Sequence, residues 1–247
     1  MKIIGLDPSA QYHNNGLGGY IEAYGAWDIA EACKHHLEEL WGSECRVILS
    51  RDNAHSLKPH RDYLRREIKA LNDANCDIAI AIHTDAGGGR GITCFKGGAQ
   101  SQVLGQALLD AFDDANLLPL RQDHPIYHYK GPRYLGVIRC TKMPTVLIEC
   151  GFHDHPQDMQ LIGTPAGRRA VGYTLARGIA AYYGWTALNK PPWEVWWLPG
   201  STPIECNVRV ENGTARADVR ALCEGLGFEV DPVERKILIR NPENGGG

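Results

Sequence analysis

Long apolar runs are missing from this chain. No segment approaches the ~20 apolar residues of a membrane span. The amino terminus, Met1-Lys-Ile-Ile-Gly-Leu-Asp7, has neither the apolar core nor the cleavage site of a secretory signal. The expectation is a chain synthesised in the cytoplasm without a signal peptide or a membrane span. A surplus of one charge is missing too: 26 Lys and Arg face 29 Asp and Glu, a net charge of -3. Such a balance leaves no electrostatic footprint for a nucleic-acid partner. Among the eight cysteines there is no C-x-x-C pair, and they are scattered through apolar segments. They read as buried thiols, against a disulfide framework or a cysteine metal site.

What is present is an ordinary globular composition, 43% hydrophobic and 22% charged, in 247 residues. That length holds one sizeable core and a small appendix. Ile78 to Ile82 is a short, uninterrupted apolar run closed by His83-Thr-Asp85 and the glycine run Gly87 to Gly91. It reads as a strand buried on both faces of a largely parallel sheet. Ile3 to Leu6 and Arg46 to Leu49 read as further strands, and the helical spacing of Ile29, Cys33, Leu37 and Leu40 predicts a helix from Ala26 to Trp41. Leu64, Ile68 and Leu71 mark a second helix, and a strand from Gly91 to Phe95 precedes a third helix around Leu104 and Leu108. Leu117 to Tyr134 reads as irregular. The fold class is α/β: a mixed, largely parallel sheet with helices on both faces.

Ligands of such sheets sit outside the carboxyl ends of the strands. His83 is at one such end, where it is either a candidate ligand or a core histidine satisfied by backbone. The loop after the first strand brings His13 and Glu22 to the same edge, although an acid in Glu22's position is equally suited to the helix dipole. Glu149 closes the buried strand Pro144-Thr-Val-Leu-Ile-Glu149, where an unpaired charge would be costly. A carboxylate in that setting meets a cation or has its pKa raised for proton transfer. His35, His36, His55, His60, His124 and His128 belong to helix surfaces and loops. Two imidazoles and one carboxylate form a known catalytic zinc set that leaves a position for water, and a further carboxylate can serve as base.

From Trp185 to Pro203, four prolines and four tryptophans break the periodicity and mark a linker. The division expected is a catalytic domain over 1–184, a linker over 185–203, a small βαββ module over 204–241, and a disordered tail over 242–247. In the module, Cys206 to Val210 reads as a strand, Glu211 to Thr214 as a turn and Asp218 to Gly225 as a helix.

Several stretches together resemble the zinc-dependent N-acetylmuramoyl-L-alanine amidases of the type 3 family. They are Leu6-Asp-Pro8, Glu22 with Trp27-Asp-Ile-Ala30, Ser50-Arg51, Ala79-Ile-Ala-Ile-His83, Leu135-Gly-Val137 and Met143-Pro-Thr-Val-Leu-Ile-Glu-Cys-Gly-Phe152. The resemblance covers roughly Met1 to Tyr183. It implies a zinc-exopeptidase-like fold, one Zn2+ held by His13, Glu22 and His83, and Glu149 as catalytic acid/base. It also implies peptidoglycan as partner, with hydrolysis of the bond between muramic acid and L-alanine. One departure stands out. The family's first motif is a Gly-His-Gly-Gly directly after the strand, whereas here Ser9-Ala-Gln-Tyr-His13 delays the histidine. The module resembles stalk-like repeats that accompany some cell-wall enzymes, which implies wall binding or pairing of two chains. A zinc carboxypeptidase or aminopeptidase, and a non-catalytic wall-binding protein, are the competing readings. Without a leader, the chain suits wall cleavage after release, in phage lysis, autolysis or sporulation.

Overall fold

Six strands make one sheet: β1 (Lys2–Pro8), β2 (Cys45–Leu49), β3 (Ile78–Asp85), β4 (Ile92–Lys96), β5 (Ile126–His128) and β6 (Thr145–Phe152), in the order β2-β1-β3-β6-β4-β5. Here β2, β1, β3 and β6 run parallel. By contrast, β4 is antiparallel to β6, with β5 parallel to β4. The expected mixed, largely parallel sheet is what forms. The computed structural model describes residues 1–54, 60–121, 126–128, 135–185, 209–211 and 214–216.

Alternation along β3 decides how each face is covered. Ile78, Ile80 and Ile82 project to one side, into a core shared with α1 (Glu22–Trp41), α3 (Ala99–Ala115) and α6 (Pro165–Tyr183). Ala79 and Ala81 project to the other side, against α2 (His60–Asp73) and α4 (Gly136–Cys140). All three isoleucines are essentially inaccessible, so truncating one to alanine should cost about 2–5 kcal/mol. On the crowded face, α6 approaches closely: a Cβ on Gly172 would stand 2.6 Å from Ile29 O, and one on Gly178 2.9 Å from Leu108.

The helix ends follow local chemistry. Thr164 Oγ1 accepts the Gly167 N–H at the start of α6, Pro165 follows it, and Gly184 closes the helix in the left-handed region. The short α5 (Pro156–Ile162) follows β6.

Some elements differ from the sequence expectation. Helix α1 starts four residues early, at Glu22, because Ala23, Gly25 and Ala26 pack as helix while adding little to the apolar period. Within the stretch expected to be irregular lies β5, and Leu135-Gly-Val137 leads into α4. The described cysteines are free and buried, except that Cys140 is exposed; Cys206 and Cys223 lie outside the described residues. Among the described residues no helix is long and apolar enough to cross a membrane.

The chain divides into two compact units, one including Met1–Lys190 and the other Thr202–Gly247. In the second, β7 (Arg209–Glu211) and β8 (Thr214–Arg216) pair antiparallel. A second strand thus stands where the sequence reading passed from a turn toward a helix. The linker from 186 on, the helix expected over 218–225, the later strands and the tail fall outside the described residues.

Candidate active site

The parallel register of β3 and β6 sets His83 directly beside Glu149. Both belong to the face that carries Ala81 and Leu147, so their side chains leave the sheet on the same side at its carboxyl edge. Just past this pair the register slips, with Asp85 opposite Phe152, and the extra residue on β6 is accommodated by Gly151 at φ 118°. The bulge ends regular pairing where the site begins.

Glu22, in the first turn of α1, is fully buried. Its Oε2 accepts a 2.5 Å hydrogen bond from Asn14 Nδ2. Its Oε1 lies 2.8 Å from His83 Nδ1 yet accepts no hydrogen bond, so the approach is a contact of charge rather than an aligned bond. Burial alone would raise the Glu22 carboxyl; His83 and Asn14 outweigh it and hold it below its ordinary range. Burial likewise disfavours the His83 imidazolium, but Glu22 pulls the ring up to about 9. Glu149 Oε2 is buried without a hydrogen-bond partner, and desolvation pushes this carboxyl to about 8 against the opposing pull of His83. Two buried carboxylate oxygens, Glu22 Oε1 and Glu149 Oε2, are left without a hydrogen-bond donor, a deficit that a cation held at Glu22 and His83 would relieve.

His13 does not join them. The turn that leaves β1 carries it past the edge, where it is exposed and rests on Tyr12 at 3.8 Å between ring centroids. Among the described residues no group of three or more His, Cys, Asp and Glu is placed to hold an ion. Of the expected set of His13, Glu22 and His83, the last two are in contact, and Gln11 Nε2 lies 3.4 Å from His83 Nδ1. His35 and His36 pair along α1 with Glu39.

The supports were less visible in sequence. Arg51 is buried, and its guanidinium donates to the carbonyl oxygens of Pro8, Ser9, Ala23, Asn53 and Ala54 while lying 4.9 Å from the Trp27 ring. It ties β1's exit to α1's first turn. Behind His83 stand Asp7, which accepts a 2.5 Å bond from Ser50, and Glu67 of α2; burial raises both carboxyls, Glu67 to about 8. His153 is fully buried: its Nδ1 pairs with Thr84 Oγ1 at 3.0 Å, its ring stacks on Tyr20, and its carbonyl accepts Leu17 N–H. The glycine run after β3 is fixed by two carboxylates. Asp154 accepts from Gly87 and Gly88 N–H, and Asp158 from Gly91 and Phe152 N–H. His153 lies four positions after Glu149, but nothing in that spacing announces a buried imidazole.

The family model for N-acetylmuramoyl-L-alanine amidase matches residues 4–181. The chain belongs to that family. Membership favours the amidase reading over an exopeptidase or a non-catalytic binding protein. A germination-specific N-acetylmuramoyl-L-alanine amidase of Bacillus subtilis is 26% identical over 210 residues, covering 77% of this chain and 83% of that protein. Two solved structures share the fold. The amidase Ami1 of Mycobacterium smegmatis has a TM-score of 0.63 at 21% identity, covering 74% of this chain and 97% of that one. The catalytic domain of CwlV, from Bacillus (Paenibacillus) polymyxa var. colistinus, has 0.63 at 19% identity, covering 75% and 100%. The amidase fold thus corresponds to the first unit.

Proposed function

We propose that this amidase cleaves the amide bond between the lactyl group of muramic acid and L-alanine in peptidoglycan, at a zinc site that includes Glu22 and His83, with Glu149 as the acid/base. The observation that carries this reading is the pair of carboxylate oxygens without hydrogen-bond donors, Glu22 Oε1 at 2.8 Å from His83 Nδ1 and Glu149 Oε2 on the residue paired with His83. A zinc ion there would supply a Lewis acid and a positive charge, lowering the pKa of water toward roughly 7 and favouring an ionised Glu149.

The chain's own groups do the rest. Asn14 holds one Glu22 oxygen and so aims the other at His83. Glu149, once ionised, accepts the proton of the attacking water as its oxygen adds to the lactyl carbonyl. The same carboxyl then delivers that proton to the alanine nitrogen as the C–N bond breaks. The poor solvation that raises Glu149 is what lets one side chain accept and then release a proton near neutral pH.

Product analysis on purified walls tests the reading. The parental chain should release peptides with a free amino terminus on L-alanine and leave the glycan intact. Glu149→Gln should retain zinc and lose ~10²–10⁴-fold in rate. Digestion at the parental rate would remove Glu149 from the mechanism. For the module beyond residue 203, the proposed role is wall anchoring or pairing of two chains. A truncated chain with unchanged wall retention and unchanged solution mass would refute both.

A further inference from the structure

The turn leaving β1 is tightly specified. Ser9 N–H bonds Ile82 O at 2.9 Å, Gln11 N–H bonds Ser9 Oγ at 3.3 Å, Tyr12 N–H bonds Ala10 O at 3.0 Å, and Asn14 N–H bonds Gln11 O at 3.3 Å. These bonds bring Gln11 back over the end of β3, where its carboxamide stands 3.4 Å from His83 Nδ1. That is the same ring nitrogen that faces Glu22 Oε1 at 2.8 Å. His13, two residues on, is exposed and leans on Tyr12. No third His, Cys, Asp or Glu joins Glu22 and His83 among the described residues. Two amides stand at this pair: Asn14 is engaged with Glu22 Oε2, and Gln11 is the one beside the His83 ring.

We propose that Gln11, rather than His13, is the third protein donor to the metal, through its Oε1. The two ends of a carboxamide exchange positions by a half-turn about the last bond, so the oxygen reaches the point that the nitrogen occupies here. The inference rests on the zinc reading of Glu22 and His83 and replaces the ligand that the family's first motif would supply. Its chemistry differs in kind. An amide oxygen is harder and less basic than an imidazole, so a site of one imidazole, one carboxylate and one amide holds zinc less tightly than one with two imidazoles.

The test uses the full chain, stripped of metal and titrated with zinc against a competing chromophoric chelator. Melting of the metal-free chain is followed in parallel as a control on folding. Gln11→Ala should weaken zinc affinity ~10-fold or more, with the metal-free melting temperature unchanged because Gln11 is exposed. Gln11→Glu, which puts a charged oxygen in the same place, should bind zinc at least as tightly as the parental chain. His13→Ala should leave the affinity unchanged. The assignment is overturned if His13→Ala weakens zinc binding, if Gln11→Ala does not, or if Gln11→Glu binds no better than Gln11→Ala. His83→Ala separates the two levels of the argument: full zinc affinity in that variant would overturn the metal reading itself, whatever the position-11 variants show.

Discussion

His83 and Glu149 are register partners on adjacent parallel strands, and their side chains share one face at the sheet's carboxyl edge. The proposed proton carrier is thereby set beside a candidate metal ligand by the register of the two strands. The elements that complete the site, the turn after β1 and the first turn of α1, are held by side chains, and there substitutions should be most informative.

Asn14 donates to a buried carboxylate, at Glu22 Oε2, while the other oxygen faces His83. Asn14→Ala should destabilise the chain by about 1–3 kcal/mol in urea unfolding. It should also lower zinc affinity, because Glu22 Oε1 is no longer aimed. Zinc affinity equal to the parental value would show that Glu22 is positioned by its helix alone.

Arg51 satisfies five carbonyl oxygens with one planar group. Lysine offers a single ammonium and cannot cover the Trp27 ring in the same way. Arg51→Lys should cost about 3 kcal/mol, read as a lower urea midpoint. An unchanged midpoint would mean that water replaces the lost donors.

A Cβ at Gly16 would lie 2.5 Å from the carbonyl oxygen of His153. Gly16→Ala must therefore displace the loop that precedes Glu22, at about 1–3 kcal/mol. The stabilisation that zinc confers on melting should shrink with it. A crystal structure of this variant with the loop unmoved would contradict the expectation.

Glu67 has a folded pKa of about 8, raised from 4.5 by burial next to Asp7. Between those two values the folded chain holds a proton that the unfolded chain has released. Stability from this group is therefore present below about pH 4.5 and is lost as pH rises toward 8. Glu67→Gln removes the titration, so the melting temperature of the variant relative to the parent should rise from pH 5 to pH 8. A difference independent of pH would show that the carboxyl is ionised throughout.

Much of the sheet was legible because β1, β3 and β6 are short apolar runs ended by polar residues, and a buried parallel strand has few other signatures. Glu149 and His83 were legible for the same reason: a polar residue closing such a run has one place to be. Glu22 was expected just ahead of its helix but stands in its first turn, since Ala23 and Ala26 are too small to mark where the helix begins. His13 was singled out by residue type, without the path of the turn that carries it. Only the bonds through Ser9 and Asn14 show that Gln11 doubles back and His13 does not. Arg51 and His153 act through contacts with residues far off in the chain, Arg51 with Ala23 and His153 with Thr84 and Tyr20, which local pattern does not carry.

Convergence of Glu22 and His83 on one divalent ion is tested most directly by anomalous diffraction at the zinc edge from crystals of the zinc-loaded chain. The expected result is one strong peak within about 2.0–2.2 Å of Glu22 Oε1 and His83 Nδ1, on the side that Glu149 faces. A peak elsewhere, or none at this pair with zinc in excess, would contradict it.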